Sequence, residues 1–572
     1  MLLRHSPVGL ALGLAVLAGS AALAGAAGGC VREGTRPPAP EVRRPRLAVV
    51  LVVDQMRADY LNRYADLYSG GLARFRKEGA WFTRAQVQHA RTFTAPGHAS
   101  VATGSHASHH GIVANDWYMP AERTEVYAAE DTRVLPVFAG PRTAQLPGRS
   151  PRQLMRAGLG DWLKAQEPAA KVYSVALKDR SAVMMGGQGP DRAYWYEPAV
   201  AGYLSSSWYQ QGAPLPDWVA AFNASDAVYR RFAAGWTRLR DPSAYLRSGP
   251  DRVATEADGV HSEFPHGFDD GSATARTSFA KGMMYTPFGD ELTLGFARAL
   301  VTAEGLGADE VPDLLFVSCS SGDLIGHKYG PFSHEVEDYY LRLDAYLAEF
   351  IAYLDEHVGK DSWVLALTAD HGALPLPEEA VLRGFHSARR ITGQVYRAQV
   401  SAAVLPVLRE LGLSANTLTF IDGDGIWLDA ALVGAAGVQP AALHTAVAAA
   451  LRELDFVADA FTAAELAGPP DHARPFFTAY QRSYFATRSP DVQLRFKQWH
   501  LVDAQAQGTS HGSPYSYDAD VPLLFFGAGV RPGMHEQPAG TVDLAPTLAA
   551  LLGLRPPADL DGRSLAATVT GP

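Results

Sequence analysis

The sequence predicts an α/β protein with a mostly parallel central sheet sandwiched by helices, together with inserted loops and a cap subdomain. Three observations carry this. Residues 46–53 (RLAVVLVV), 171–177 (KVYSVAL), 313–318 (DLLFVS), 362–368 (SWVLALT) and 520–526 (DVPLLFF) are short continuous apolar runs, as in strands buried on both faces. Helical patterns lie between them, as in residues 338–357, where Tyr340, Leu343, Tyr346, Leu347 and Ile351 recur at helical spacing. Most of the runs stop at polar clusters: Asp54, Lys178-Asp179-Arg180, Ser320-Ser321-Gly322-Asp323 and Asp370-His371. Buried strands alternating with amphipathic helices make a parallel sheet, and such sheets bind ligands beyond the carboxyl ends of their strands.

Taken in order, the chain begins with Arg4 and an apolar run over residues 8–27, the pattern of a secretory signal. The run reaches Cys30 through Ala27-Gly28-Gly29, which is similar to a bacterial lipobox; simple cleavage after Ala24 or Ala26 is the alternative. Residues 1–29 are therefore expected to be a signal peptide, with Cys30 the site of a lipid anchor. Residues 30–45, with Pro37, Pro38, Pro40 and Pro45, read as an extended tether. The mature protein is expected to be exported, either periplasmic or anchored at the outer membrane as a lipoprotein. Residues 46–375 and 501–568 form the expected core. Residues 118–170 and 190–285, rich in Gly, Pro, Trp and Tyr, read as loop-rich insertions over the sheet. Residues 376–500 read as an inserted cap, with helices at 400–411 and 440–454 and a strand-like run at 417–428.

Composition narrows the function classes. The 572 residues suit three to four domain-sized units, and 47% hydrophobic with 19% charged residues is an ordinary globular balance. A net charge of −10 argues against a nucleic-acid partner, which would leave a basic footprint. Cys30 and Cys319 are the only cysteines, so any metal must be held by His, Asp and Glu.

The polar clusters have that chemistry. Asp323 and His327 are four apart, so one helical turn places both on the same side. Asp370 and His371 are adjacent at a strand end, and His511 lies in a glycine-flanked loop, Gly508-Thr509-Ser510-His511-Gly512. With Asp54 these make three carboxylates and three imidazoles, a mixture suited to Zn²⁺ rather than Mg²⁺ or Ca²⁺. Six ligands suffice for two three-ligand sites that each keep an open position. Thr94-Ala95-Pro96-Gly97-His98 reads as a helix start. Thr94 is then either an N-cap or a nucleophile with backbone donors aimed at an anion.

The order Asp54, Thr94, Asp323-x-x-x-His327, Asp370-His371, His511 resembles the alkaline phosphatase superfamily. The resemblance spans about residues 46–566, including Val542-Asp543-Leu544-Ala545-Pro546 and Asp561-Gly562-Arg563. Thr94-Ala95-Pro96-Gly97-His98, residues 111–118 (GIVANDWY) and Ala176-Leu177-Lys178-Asp179-Arg180 resemble the phosphate-irrepressible alkaline phosphatases, with Ala95 where Gly is more usual. That resemblance implies an exported, monomeric enzyme that hydrolyses small phosphate monoesters with two Zn²⁺ per chain. It implies Asp323, His327 and His511 on one zinc and Asp54, Asp370 and His371 on the other. Thr94 would coordinate the second zinc and become phosphorylated, while Asn115, Lys178 and Arg180 bind phosphoryl oxygens.

Lys178 and Arg180 favour a monoester dianion, which has a further charged oxygen for two cations to hold. The phosphodiesterase and nucleotide pyrophosphatase branch remains the alternative. A third reading, an inactive surface-binding protein on the same fold, would show a lost ligand or nucleophile, and none is missing. A sulfatase is disfavoured, because its Cys- or Ser-x-Pro-x-Arg motif is replaced by Thr94-Ala95-Pro96-Gly97-His98. Asp422-Gly423-Asp424-Gly425 lacks the downstream acid of a calcium loop and reads as a turn. His106, His109 and His110 read as surface or supporting residues rather than a third metal site.

Overall fold

The computed structural model describes residues 44–139, 145–503 and 505–571. The expected signal peptide, Cys30 and nearly all of the tether lie outside the described residues.

A ten-stranded sheet organises the chain. Its strands are β1 (Leu47–Val53), β2 (Ala80–Phe82), β3 (Pro136–Val137), β4 (Val172–Ala176), β5 (Arg192–Glu197), β6 (Gly202–Ser206), β7 (Asp313–Cys319), β8 (Trp363–Thr368), β9 (Leu523–Gly527) and β10 (Gly533–His535). Their order is β10-β2-β9-β8-β1-β7-β4-β5-β6-β3. The five central strands, β8-β1-β7-β4-β5, are parallel. β9 runs antiparallel to β8, so the fifth apolar run of the sequence pairs in the opposite sense to the other four.

β1 shows why its sequence is apolar without alternation. Leu47, Val49, Leu51 and Val53 face one core, shared with Tyr339, Leu343 and Leu347. Ala48, Val50 and Val52 face another, shared with Val101, Leu544 and Leu548. Both faces are covered, so neither has room for a polar residue.

Four helices concern the site: α1 (Thr94–Thr103), α2 (Asp179–Gly186), α3 (Ser321–Tyr329) and α4 (His334–Leu354). α4 begins four residues earlier than the periodicity of residues 338–357 suggests. The Ser333 side chain accepts from Val336 N–H and caps the helix there, a start signal that apolar spacing does not register.

Two regions differ from the sequence expectation. Residues 190–206 are not insertion loops, because β5 (RAYWYE) and β6 (GYLSS) are strands of the main sheet. Their aromatic residues are buried strand formers, which aromatic-rich composition without alternation had disguised. The strand-like run 417–428 is two strands, Leu418–Asp422 and Gly425–Leu428, paired as a hairpin. With Val457–Thr462 and Val492–Phe496 they form a separate four-stranded antiparallel sheet. Helices Gly393–Glu410 and Pro440–Arg452 pack on it around Val400, Val404, Leu443, Val447 and Leu494, a core of its own.

Candidate active site

The carboxyl ends of β1, β4, β7 and β8 deliver the polar residues to one edge. Asp54 follows β1, Lys178 caps α2 after β4, Asp323 sits in the first turn of α3 after β7, and Asp370-His371 follow β8. The loop before β9 brings His511 to the same place, as its distance to Asp323 shows below. With His327 one helical turn after Asp323 on α3, all six expected metal ligands converge.

Three imidazoles share one arrangement. His327 Nδ1 lies 2.7 Å from the Thr509 carbonyl, His511 Nδ1 2.7 Å from the Thr92 carbonyl and His371 Nδ1 3.0 Å from the Gly372 carbonyl. A carbonyl only accepts, so each Nδ1 carries a proton and each Nε2 is turned toward the carboxylates, the tautomer of a metal-ligating histidine. His327 Nε2 and His511 Nε2 lie 3.2 and 3.5 Å from Asp323 Oδ1. His371 Nε2 lies 3.3 Å from Asp370 Oδ2 and 3.5 Å from Asp54 Oδ1.

Proximity alone gives a different partition. Asp323, His371 and His511 form one group of candidate ligand atoms within 4.8 Å, and Asp54, His98 and Asp370 form another. Hydrogen bonding separates His98 from the ligands. Its Nδ1 lies 2.8 Å from the Thr94 carbonyl and 3.2 Å from Asp370 Oδ2, and its Nε2 lies 2.9 Å from Ser318 Oγ. Both nitrogens are engaged, so His98 orients Asp370 and the first turn of α1. His371, with its free Nε2, takes the place beside Asp54 and Asp370.

The residues fit a metal. Asp54 Oδ1, Thr94 Oγ1, Asp370 Oδ2 and His371 Nε2 are buried and have no hydrogen-bond partner among the described residues. Each such orphan costs about 1–3 kcal/mol, so several in one place mark a site built for a ligand. Protonation agrees. Burial pushes His371 down to about 3 and also lowers His511, leaving both neutral. Burial raises the Asp54 carboxyl, and the neighbouring Asp370 raises it further, against Lys178. Burial works to raise Asp323 too, but His327 and Lys178 hold it well below the usual carboxylate range.

Lys178 departs from its expected role in one respect. Its Nζ lies 2.6 Å from Asp54 Oδ2 and 2.5 Å from Asp323 Oδ2, bridging the two groups of carboxylates. Burial works against its charge, but those two carboxylates outweigh it and raise its pKa. Arg180, in the first turn of α2, stands beside Tyr127 and Asp179, which keep it charged despite burial. Asn115 Oδ1 accepts from the Ala95 N–H at 2.9 Å, which leaves its amide NH₂ free beside Thr94.

Thr94 is the first helical residue of α1, and Phe93 is the N-cap. The N-cap reading of Thr94 is therefore wrong, and its hydroxyl is free for other work. The expectation of free backbone donors is narrowed to the Thr94 N–H, which has no acceptor among the described residues. The Ala95 N–H is taken by Asn115, and Pro96 has none. α1 approaches the end of β8 closely because of Gly97, where a Cβ would lie 2.5 Å from the Asp370 carbonyl oxygen. Gly508 has φ +72°, and a Cβ there would meet the His327 carbonyl oxygen at 2.3 Å.

Sequence reasoning passed over Gln55, whose Nε2 donates to Asp323 Oδ1 at 2.7 Å and whose N–H donates to Asp370 Oδ1 at 3.2 Å. Its place next to Asp54 was the available signal. His106 and His110 are buried behind α1, while His109 is exposed and paired with Asp561. The Asp422–Gly425 segment is the hairpin turn, with Asp424 buried.

Comparison with known proteins places this geometry. The sequence profile of the type I phosphodiesterase / nucleotide pyrophosphatase family matches residues 48–497. Alkaline phosphatase PafA of Elizabethkingia meningoseptica is 32% identical over 527 residues, covering 92% of this chain and 94% of that one. A crystal structure of wild-type PafA superposes with a TM-score of 0.84 at 32% identity, covering 93% of this chain and 100% of that one. Alkaline phosphatase PhoV of Synechococcus elongatus is 34% identical over 532 residues, 91% of this chain and 92% of that one. A Myroides odoratus protein named a calcium-transporting ATPase is 32% identical over 529 residues, 90% of this chain and 93% of that one. Among the described residues of this chain, no helix is long and apolar enough to cross a membrane.

Proposed function

This chain belongs to the type I phosphodiesterase / nucleotide pyrophosphatase family of the alkaline phosphatase superfamily, and within it we propose a metal-dependent phosphomonoesterase that uses Thr94 as nucleophile. The observation that carries this reading is the Thr94 hydroxyl, without a partner among the described residues and next to Asn115, at an edge of the sheet where Lys178 bridges Asp54 and Asp323. The names of the PafA and PhoV relatives support it.

Asp54, Asp370 and His371 would hold one metal ion, with Thr94 beside it, and Asp323, His327 and His511 would hold the other. The imidazole-rich donor set favours zinc. When bound, such a pair supplies positive charge that lowers the pKa of a nearby hydroxyl and stabilises a departing alkoxide. The chain's own residues do the positioning. His98 donates to the Thr94 carbonyl and lies against Asp370, which holds the first turn of α1 beside the end of β8. Lys178 has three N–H donors and places two on Asp54 and Asp323, so one is left for a phosphoryl oxygen. Arg180 and the Asn115 NH₂ supply further donors. Thr94 gives its hydroxyl proton to water and its oxygen attacks phosphorus in line, the P–O bond to the ester oxygen breaks and that oxygen takes a proton from water, and a second water then cleaves the phosphothreonine to return the Thr94 hydroxyl and inorganic phosphate. The transition state is loose, so this electrostatic placement is the main protein contribution.

The reading includes export through the signal-like residues 1–29, a lipid anchor at Cys30, a monomeric state, and residues 376–500 as a cap on a core of residues 46–375 and 501–568. A second reading, diester hydrolysis, is favoured by the family description itself. The cationic pair separates the two. Two charge-assisted hydrogen bonds at about 1.5–3 kcal/mol each correspond to a loss of about 10²–10⁴ in rate. Lys178→Ala/Arg180→Ala is therefore expected to lower kcat/KM for an aryl phosphate monoester by at least about a hundredfold. A double variant that keeps wild-type monoester turnover would remove the basis of the monoesterase assignment.

A further inference from the structure

Thr94 and Asn115 come from separate loops, yet attack on a phosphoryl group held by Asn115 needs the two at a fixed separation. Both loops are braced by one element of the inserted segment, the hairpin Leu418–Asp422/Gly425–Leu428.

At the hairpin tip Asp424 Oδ1 lies 3.0 Å from Arg91 Nε, and the two side chains are only 9% and 4% exposed. Gly423, at φ +52°, supplies the left-handed turn that carries the chain into Asp424. Arg91 precedes Thr94 by three residues. Its Nη1 donates to the Val113 carbonyl at 3.3 Å, two residues before Asn115. On the other side of Asn115, Tyr118 stacks on Phe420 of the hairpin with ring centroids 4.8 Å apart, and Trp427 meets its edge at 6.1 Å. The hairpin thus grips the nucleophile loop through Asp424 and the Asn115 loop through Phe420, and Arg91 joins the two loops directly.

An ion pair that merely fastened the inserted segment to the core could sit anywhere along their contact. A buried pair also carries a desolvation cost that a packed apolar contact would avoid. This one falls on Arg91, which lies three residues before Thr94 and holds the Val113 carbonyl two residues before Asn115, where the Ala95 N–H to Asn115 Oδ1 bond already joins the two segments. We propose that Asp424, acting through Arg91, is a positioning residue that sets the separation of Thr94 and Asn115. It touches no reacting atom, and the inference rests on the roles given to Thr94 and Asn115 above.

A double-mutant cycle on the full zinc-loaded chain tests it. Asp424→Asn keeps the shape and removes the charge. It is made alone and with Asn115→Ala, and kcat and KM for an aryl phosphate monoester are measured alongside zinc content and Tm. A displacement of about 1 Å costs on the order of a hundredfold. Asp424→Asn alone is therefore expected to lower kcat by about 10- to 100-fold, with zinc content at the wild-type value. In the Asn115→Ala background the same change is expected to cost less than about threefold, because the separation no longer matters. Equal losses in both backgrounds, or no loss in the wild-type background, would overturn the proposal. Should Asp424→Asn fail to fold, Phe420→Leu tests the other grip in the same cycle and is held to the same two outcomes. A wild-type protein that binds zinc and turns over no monoester would overturn the functional reading itself, and the positioning role with it. That failure is distinguishable because it appears before any substitution is made.

Discussion

Stripped of metal by a chelator, the protein is expected to lose all measurable phosphatase turnover and to melt at a lower temperature, and added zinc to restore both. The reason lies in the buried atoms that the chain leaves unsatisfied. Asp54 Oδ1, Asp370 Oδ2, His371 Nε2 and Thr94 Oγ1 have no hydrogen-bond partner among the described residues. His327, His371 and His511 each turn Nε2 toward the carboxylates while a backbone carbonyl holds Nδ1. Ligand that binds only the folded state stabilises it by about 4 kcal/mol at a thousandfold excess over Kd. The melting temperature is thus a readout independent of turnover. Elemental analysis accompanies both measurements. Undiminished turnover in protein shown to be metal-free would contradict the assignment of these residues.

Thr94→Ala is expected to give the largest loss from a single substitution. Removing a nucleophile from a catalytic constellation costs on the order of 10⁴-fold or more. The fold should tolerate the change, since the Thr94 hydroxyl makes no hydrogen bond among the described residues and the first turn of α1 is held by Asn115, His98 and Gly97. The variant should bind metal and melt like the wild type. It should also fail to retain phosphate on the chain when quenched in acid during turnover, whereas Thr94→Ser should retain both phosphorylation and partial activity. An alanine variant with more than about one per cent of wild-type activity would show that another group attacks phosphorus.

Much of this site was legible before any coordinates. Runs such as residues 46–53 and 362–368 are apolar because both faces of β1 and β8 are covered, and a polar residue ending such a run marks the edge where parallel sheets bind ligands. The four-residue spacing of Asp323 and His327 needed only a helix to bring them together, and α3 supplies it. Other features depend on tertiary contact and leave weaker traces. β5 and β6 are hidden by an aromatic composition that fits a loop or a buried strand equally well. His98 looks like one more ligand until its two nitrogens are seen to be occupied. The Ala95 N–H looks available to an anion until Asn115 is found on it. Asp424 reads as an ordinary turn acid, because nothing in its neighbourhood announces that Arg91, more than three hundred residues earlier, stands against it.

The central claim is that this site hydrolyses phosphate monoesters, with Lys178 and Arg180 matched to a dianion. The most direct test is kcat/KM of the purified zinc-loaded protein for an aryl phosphate monoester and for the diester of the same aryl alcohol. Monoester turnover faster by at least about a hundredfold, equivalent to about 3 kcal/mol of transition-state discrimination, is the result expected here. A ratio near one, or a preference for the diester, would contradict it and assign the protein to diester hydrolysis.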